Sequence, residues 1–405
     1  MTYSDIRQQH PKFVTSHKEQ KKIPLIIRGQ GVFVFRSNDI DGLNMFSVMD
    51  VNENACLSVL FETDGIDVFK LPGVDKLADT TNTKGLSKIP GAYYWFSIDY
   101  QNQVLAAGIG EVRIETAVYH YQFERTDENR AFLESLVTIL VPDNVTSVEP
   151  MRLVRDPVSF SLPMIVKDTN HLKMHHIAKS SFMPKSLLTP VSQKLYDCVA
   201  GKNFVLDDGS FTSFSKAIEY SIATPGCWCH ETLLKKVGQF GGEKETYLRI
   251  TLGQNNGESP GVPYVMEIWP PGHYSPVHNH GGANAIIRVL HGAIRVSQYA
   301  FLSEEVDPFA HLVLKKNDIT WISSTLNQVH KLENTGSKTC VTIQSYMYDA
   351  FNMAHYDFFD YLDSEGNEKQ FEPDSDMDFV AFKELMKKEW NERKRFSQFF
   401  SWESA

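Results

Sequence analysis

The chain has 405 residues, enough for two domains with separate cores, and its 42% hydrophobic and 22% charged residues are those of an ordinary globular protein. Fifty acidic against 40 basic residues give a formal charge of −10, and with no long basic run a nucleic-acid partner is not expected. No stretch approaches the ~18 uninterrupted apolar residues of a membrane helix, and the polar start "MTYSDIRQQHPKFVTSHKEQKK" lacks the apolar run of a secretory signal. Five scattered cysteines, an odd number, point to reduced thiols and a cytoplasmic location.

Residues 1–160 form the first predicted module. From residue 23 the text is β throughout: "GVFVFRS", "ACLSVLFET", "AYYWFSIDY", "QVLAAGIGEVRI" and "LVTILV" are short runs rich in β-branched and aromatic residues. Turn signals such as "NDIDG", "TDG" and "DYQN" separate them, and no strong helical period intervenes, so a β-sandwich is expected. The segment "YYWFSIDYQNQVLAAGIGE" is similar to sandwich modules of the farnesoic acid O-methyltransferase type. A carbohydrate or a protein is the expected kind of partner for this module, its identity being unknown.

Residues 161–195 read as a linker with a short solvated helix. His171 and His175 stand four apart there, next to His176, but no carboxylate or thiol accompanies them. "PVSQKLYDCVAG" and "SFTSFSKAIEYSIA" then carry helical spacing, and β text resumes at "YLRITLG". In "CWCHE", Cys227 and Cys229 are one residue apart, too close for the usual zinc-knuckle spacing, and are read as ordinary thiols. A second domain is placed at 196–375. "DMDFVAFKELMKKEWNERKRFSQFF" has Asp at its head and an apolar stripe, so residues 376–405 are assigned to a C-terminal helix packed on that domain.

The chemistry concentrates in "PPGHYSPVHNHGGANAIIRVLHGAI". Residues two apart on a strand face one way, so His278 and His280 project side by side. Gly292 is read as the turn of a hairpin, "IIRVLHGAIRVSQY". His330, in "NQVHKLEN" with Asn334 four residues on, supplies a third imidazole once a barrel closes. Three imidazoles with open positions are the minimum for a first-row metal site. Gly272, the His-x-His pair, Gly292, His330 and Asn334 together are similar to the two cupin motifs, G-x5-H-x-H and H-x3-N.

Three further stretches extend the likeness: "ETYLRITLG", "EIWPPGHYSPVHNHGGANA" and "CVTIQSYMYD". With them, residues 195–350 resemble the cysteine dioxygenase family of thiol dioxygenases. The fold implied is mainly β, the N-terminal sandwich being followed by a cupin barrel, a double-stranded β-helix with helices before and after it. The resemblance implies Fe(II) at His278, His280 and His330, and Arg249 gripping a substrate carboxylate with Tyr247 beside it. Trp269 and Ser275 take family positions in the run leading to the histidines. The family's Ser-x-His-x-Tyr triad falls on Thr342, Gln344 and Tyr346.

The implied activity is O2-dependent oxidation of a small carboxylated thiol, cysteine or a related mercapto acid, to its sulfinic acid. Alternatives are another metal-dependent cupin enzyme, an isomerase or quercetinase-like dioxygenase, and a non-catalytic small-molecule-binding cupin. Three departures stand out. No glutamate follows the His-x-His pair, so the expected metal ligands are neutral. Gln344 replaces the triad histidine and cannot titrate near neutral pH. Ala285 stands where animal-type members carry the cysteine that is joined to the triad tyrosine.

Overall fold

A computed structural model describes residues 13–14, 22–36, 44–62, 65–73, 75–78, 92–142, 151–158, 161–253, 264–348 and 358–400, with side chains of the last helix described as far as Arg393. The turn "NDIDG" and most of the insertion "GQNNGESPGVP" lie outside these residues. The chain divides between Ser161 and Leu162 into two compact units. Among the described residues no helix is long and apolar enough to cross a membrane.

The first unit is a sandwich of two six-stranded antiparallel sheets. One sheet centres on Gln30–Arg36 and Tyr93–Asp99, the other on Asn44–Met49 and Ala55–Glu62. Phenylalanines alternate inward and meet across the gap: Phe35 stands edge-on to Phe61 at 5.2 Å between centroids, and Phe33 lies 5.2 Å from Phe46. One element departs from the all-β reading, an α-helix at Asp127–Glu134. Thr126 caps it, its Oγ1 accepting from Asn129 N at 3.2 Å, and Asp127 and Glu128 in the first turn complement the helix dipole.

The second unit is built on a six-stranded sheet in the order Ile319–Ile322, Asn284–His291, Cys340–Met347, Tyr264–Trp269, Leu248–Leu252, Met377–Asp378. A three-stranded sheet, Ala310–Lys315, Ala293–Tyr299 and Val329–Glu333, closes the barrel from the other side. This is the cupin architecture, a double-stranded β-helix. Strand alternation gives the large sheet two buried faces. Leu248, Ile250, Met266, Ile268, Val341 and Ile343 point outward into an apolar cluster with helices Pro190–Val199, Phe214–Ala223, Trp228–Lys235 and Phe379–Phe400. Arg249, Glu267, Trp269, Thr342, Gln344 and Tyr346 occupy the intervening positions and point into the barrel.

Gly292 does not turn a hairpin. Asn284–His291 pairs with Ile319–Ile322 and Cys340–Met347, whereas Ala293–Tyr299 pairs with the two strands of the smaller sheet. The chain therefore turns a barrel corner at Gly292. Its φ is +71°, and a Cβ there would meet Thr339 O at 2.5 Å, so only glycine passes this point without displacing backbone.

The stretch read as a linker is largely part of the second unit. Trp321 Nε1 donates to Pro163 O at 3.0 Å and Thr320 Oγ1 to Met164 O at 2.8 Å, while Val166–Lys167 runs parallel to Met183–Pro184. Burial of Met164, Val166, Met183 and Leu188 supplies the cause, which the polar text around them obscures. His171 and His175 are exposed, the latter on the short helix Met174–Ala178.

Asp378 starts the C-terminal helix, its Oδ1 accepting from Val380 N and Ala381 N at 3.0 and 3.1 Å. Phe382 is fully buried against Phe214 and Trp228, with ring centroids 5.9 and 5.4 Å away. Removing such a ring costs about 3–5 kcal/mol. Phe382→Ala is thus expected to lower the second unit's unfolding midpoint by several degrees, read by calorimetry.

Candidate metal centre and its cavity

The His-x-His segment is not part of a regular strand. It is an isolated bridge laid between two neighbours. On one side His278 N donates to His330 O and His330 N to His278 O, both at 3.0 Å. On the other, Asn279 N donates to Asp360 O and Leu362 N to Val277 O, both at 2.9 Å. Alternation survives: Asn279 turns away, its Nδ2 donating to Asp360 Oδ2 at 2.8 Å, while both histidines face inward.

His278, His280 and His330 are buried, and their candidate ligand atoms lie within 4.8 Å of one another. The His278 Nδ1 faces Pro276 O at 3.1 Å and the His330 Nδ1 faces Asn327 O at 3.4 Å. A proton on each Nδ1 leaves the Nε2 lone pairs free for a cation. His280 Nε2 comes within 3.3 Å of His330 Nε2, and His280 Nδ1 has no hydrogen-bond partner. Burial, reinforced by the neighbouring imidazoles, pushes His330 down to about 3 and His280 well below its usual value; burial, with the Arg249 charge adding to it and the Pro276 carbonyl opposing, takes His278 to about 4. All three are neutral at neutral pH, the form a metal requires. Three converging neutral imidazoles suit a first-row divalent ion.

Asn334 works behind this centre. Its Nδ2 donates to Trp269 O and Lys338 O at 2.8 Å, and its Oδ1 accepts from Gly336 N at 3.0 Å, which fixes the turn after His330. Ser275 is likewise structural: its Oγ accepts from Leu332 N at 2.9 Å and donates to Pro276 O at 2.9 Å.

The imidazoles open on a cavity whose polar lining also includes Glu267, Trp269, Gln298, Thr342 and Gln344. Ile287, Val296, Ile322 and Leu332 form much of the apolar remainder. Of the residues read from the sequence, Tyr247, Trp269, Thr342, Gln344 and the three histidines line it, whereas Arg249, Ser275 and Tyr346 lie outside the lining. Tyr247 stacks on Trp269, centroids 4.3 Å apart. Trp269 Nε1, Thr342 Oγ1 and Gln298 Oε1 are buried without protein partners.

Glu267 and Gln298 were not legible as site residues. The carboxylate of Glu267 takes Arg249 Nη1 on Oε1 at 3.2 Å and Gln344 Nε2 on Oε2. Gln344 Oε1 accepts from the Tyr346 hydroxyl. Arg249 therefore faces an internal partner, with the Tyr346 and Tyr247 phenols beside it. Burial works against its charge, but Tyr346, Glu267 and Tyr247 hold its pKa above the usual value. Burial raises the Glu267 carboxyl, with Arg249 and Gln344 opposing. Glu267 lies in the cavity wall, outside the histidine cluster. Its signal in the sequence is a lone acid in the apolar run "YVMEIW", at an inward position two before Trp269.

A cupin barrel with a buried three-histidine cluster defines the class: a cupin with a candidate metal centre. Residues 231–357 match the family model described as cysteine dioxygenase type I, in agreement with the resemblance carried by the motifs. That family is one of dioxygenases, and the three-histidine site suggests a metal. Among solved structures, the chain is similar to oxalate oxidase in complex with the substrate analogue glycolate, at 20% identity and a TM-score of 0.22. The match covers 25% of this chain and about half, 51%, of that one. It is also similar to the Cupin_2 domain of an XRE family transcriptional regulator from Enterobacter cloacae, at 14% identity, covering 25% and 96% of the two chains with a TM-score of 0.21. A sugar phosphate isomerase of the cupin superfamily from Silicibacter pomeroyi matches at 12% identity over 38% and 87%, TM-score 0.21.

Two outcomes are expected. Metal analysis of the purified protein should find a single ion per chain, largely lost in His330→Ala; full occupancy in that variant would remove His330 from the ligand set. The second concerns Tyr346, whose cross-strand neighbour is Ala285, while Cys340 pairs with Trp269 at the other end of its strand. No thiol stands opposite the phenol, so intact mass and peptide mapping after turnover should find Tyr346 unmodified.

Proposed function

We propose that this protein is an Fe(II)- and O2-dependent thiol dioxygenase that converts a small thiol, cysteine or a related mercapto acid, to its sulfinic acid. The observation that carries the reading is the convergence of three neutral, buried imidazoles on a cavity, inside the segment that matches the cysteine dioxygenase type I family. Iron(II) held by His278, His280 and His330 would supply the one-electron chemistry that O2 needs to react with a thiol.

The chain's own residues do the rest. Ile287, Val296 and Leu332 keep the cavity apolar around the reacting sulfur. Trp269 Nε1 and Thr342 Oγ1, both unpartnered, are available to hold the substrate. Tyr346 keeps its proton, because burial and the Glu267 carboxylate raise its pKa, and donates it in a hydrogen bond to Gln344 Oε1. Arg249, which the family resemblance assigns to a substrate carboxylate, is paired with Glu267 and stands outside the residues that line the cavity. The free state of Cys56, Cys198, Cys227, Cys229 and Cys340 goes with a reducing cytoplasmic setting.

The overall reaction, thiol plus O2 to sulfinic acid, is balanced without an added reductant, because sulfur supplies all four electrons. Oxygen uptake by the iron-loaded protein should therefore equal sulfinate formed, and labelled O2 should place both atoms in the product. Label from water, or a requirement for a 2-oxo acid, would move the protein to another class.

A further inference from the structure

The segment carrying His278 and His280 is bordered on one side by the hairpin of Phe359–Leu362 with Glu368–Phe371, which lies beyond residues 231–357, the part that matches the family model. Side chains reinforce this border. Asn279, between the two histidines, donates through Nδ2 to Asp360 Oδ2 at 2.8 Å, and its Oδ1 accepts from Asp360 N and Gly281 N, both at 3.2 Å. Asp360 is held in turn by Gln370 Nε2, which donates to its Oδ1 at 3.0 Å. Both ends of the Asn279 amide and both oxygens of the Asp360 carboxylate are thus engaged.

The three imidazoles are not held alike. In His278 and His330 the Nδ1 faces a main-chain carbonyl, whereas His280 Nδ1 is buried without a partner. With no bond at Nδ1 to orient it, the His280 ring takes its direction from the backbone that carries it and from the rings around it. The same hairpin supplies one of those rings, Phe359, whose centroid lies 4.7 Å from that of His280. Because neighbouring residues of an extended chain point to opposite sides, the rotation at Asn279 sets the direction of both flanking histidines. We propose that Asn279, locked to Asp360, is a positioning residue for the metal centre, fixing the rotation of the His-x-His backbone so that His278 and His280 converge on His330. The proposal rests on the three histidines being a metal centre and is independent of the reaction carried out there. The competing role is to fasten the hairpin to the barrel and no more.

Cobalt(II) is a suitable probe, titrated calorimetrically into the full-length protein stripped of metal, with the visible absorption of the bound ion reporting how its ligands are arranged. Asn279→Ala leaves the main-chain bonds of the segment in place. It should lower cobalt affinity about tenfold or more, the loss typical of groups that orient metal ligands, and alter the visible spectrum. Asn279→Asp sets two carboxylates against each other and should do at least as much. Asn279→Asp combined with Asp360→Asn reverses the polarity of the side-chain bond and keeps an acceptor for Gly281 N and for Gln370 Nε2, so affinity and spectrum should return toward those of the wild type. A lower unfolding midpoint in Asn279→Ala with cobalt affinity and spectrum unchanged would overturn the proposal, as would a double variant no better than Asn279→Asp alone. Should Asn279→Ala fail to fold, Gln370→Ala, at an exposed position, releases Asp360 from its outer side. A smaller loss of cobalt affinity is expected there, and none would overturn the role. Wild-type protein that takes up no cobalt, or uptake undiminished in His330→Ala, would overturn the metal centre itself and this role with it.

Discussion

The second unit depends on one constraint: its large sheet has no wet face. Every strand must satisfy an apolar helix layer on one side and a chemically active cavity on the other. Period-two alternation meets both demands, with Ile250, Met266 and Ile343 under the helices and Arg249, Glu267 and Gln344 inside. A register slip of one residue would bury the guanidinium and carboxylate under the helices and drive the leucines and isoleucines into the site. The same constraint places ionised groups in a low-dielectric interior, where they persist only if they pair with each other. Arg249, Glu267, Gln344 and Tyr346 answer that need as one connected network.

This network sets the charge of the site. Internal pairing leaves the protein contribution near neutrality, since guanidinium and carboxylate cancel and the imidazoles carry no proton at neutral pH. A divalent ion held by the three neutral imidazoles would keep its charge, with the Glu267 carboxylate in the wall of the same cavity.

Much of the site could be read from the sequence because ligand geometry follows spacing. His278 and His280 two apart, and His330 with its Asn334, retain that meaning whether the backbone is strand or bridge. Tyr346, Gln344 and Thr342 share a face for the same reason. What escaped reading depended on partners distant in sequence. Glu267 looks like a solvent-facing acid until Arg249 and Gln344 are brought beside it. Ser275 carries a family motif, yet its hydroxyl is engaged by the Leu332 backbone. Gly292 signals a turn, but whether a turn makes a hairpin or a corner is decided by the strands that flank it. Helix Asp127–Glu134 was hidden by the β text around it, although Thr126 and the two acids after it are an ordinary helix start.

The two-sided clamp on the His-x-His segment has a consequence of its own. Main-chain bonds to the His330 strand and to Asp360 and Leu362 hold this backbone from both sides. A cation arriving here meets donors already assembled, and little chain entropy is spent in binding it.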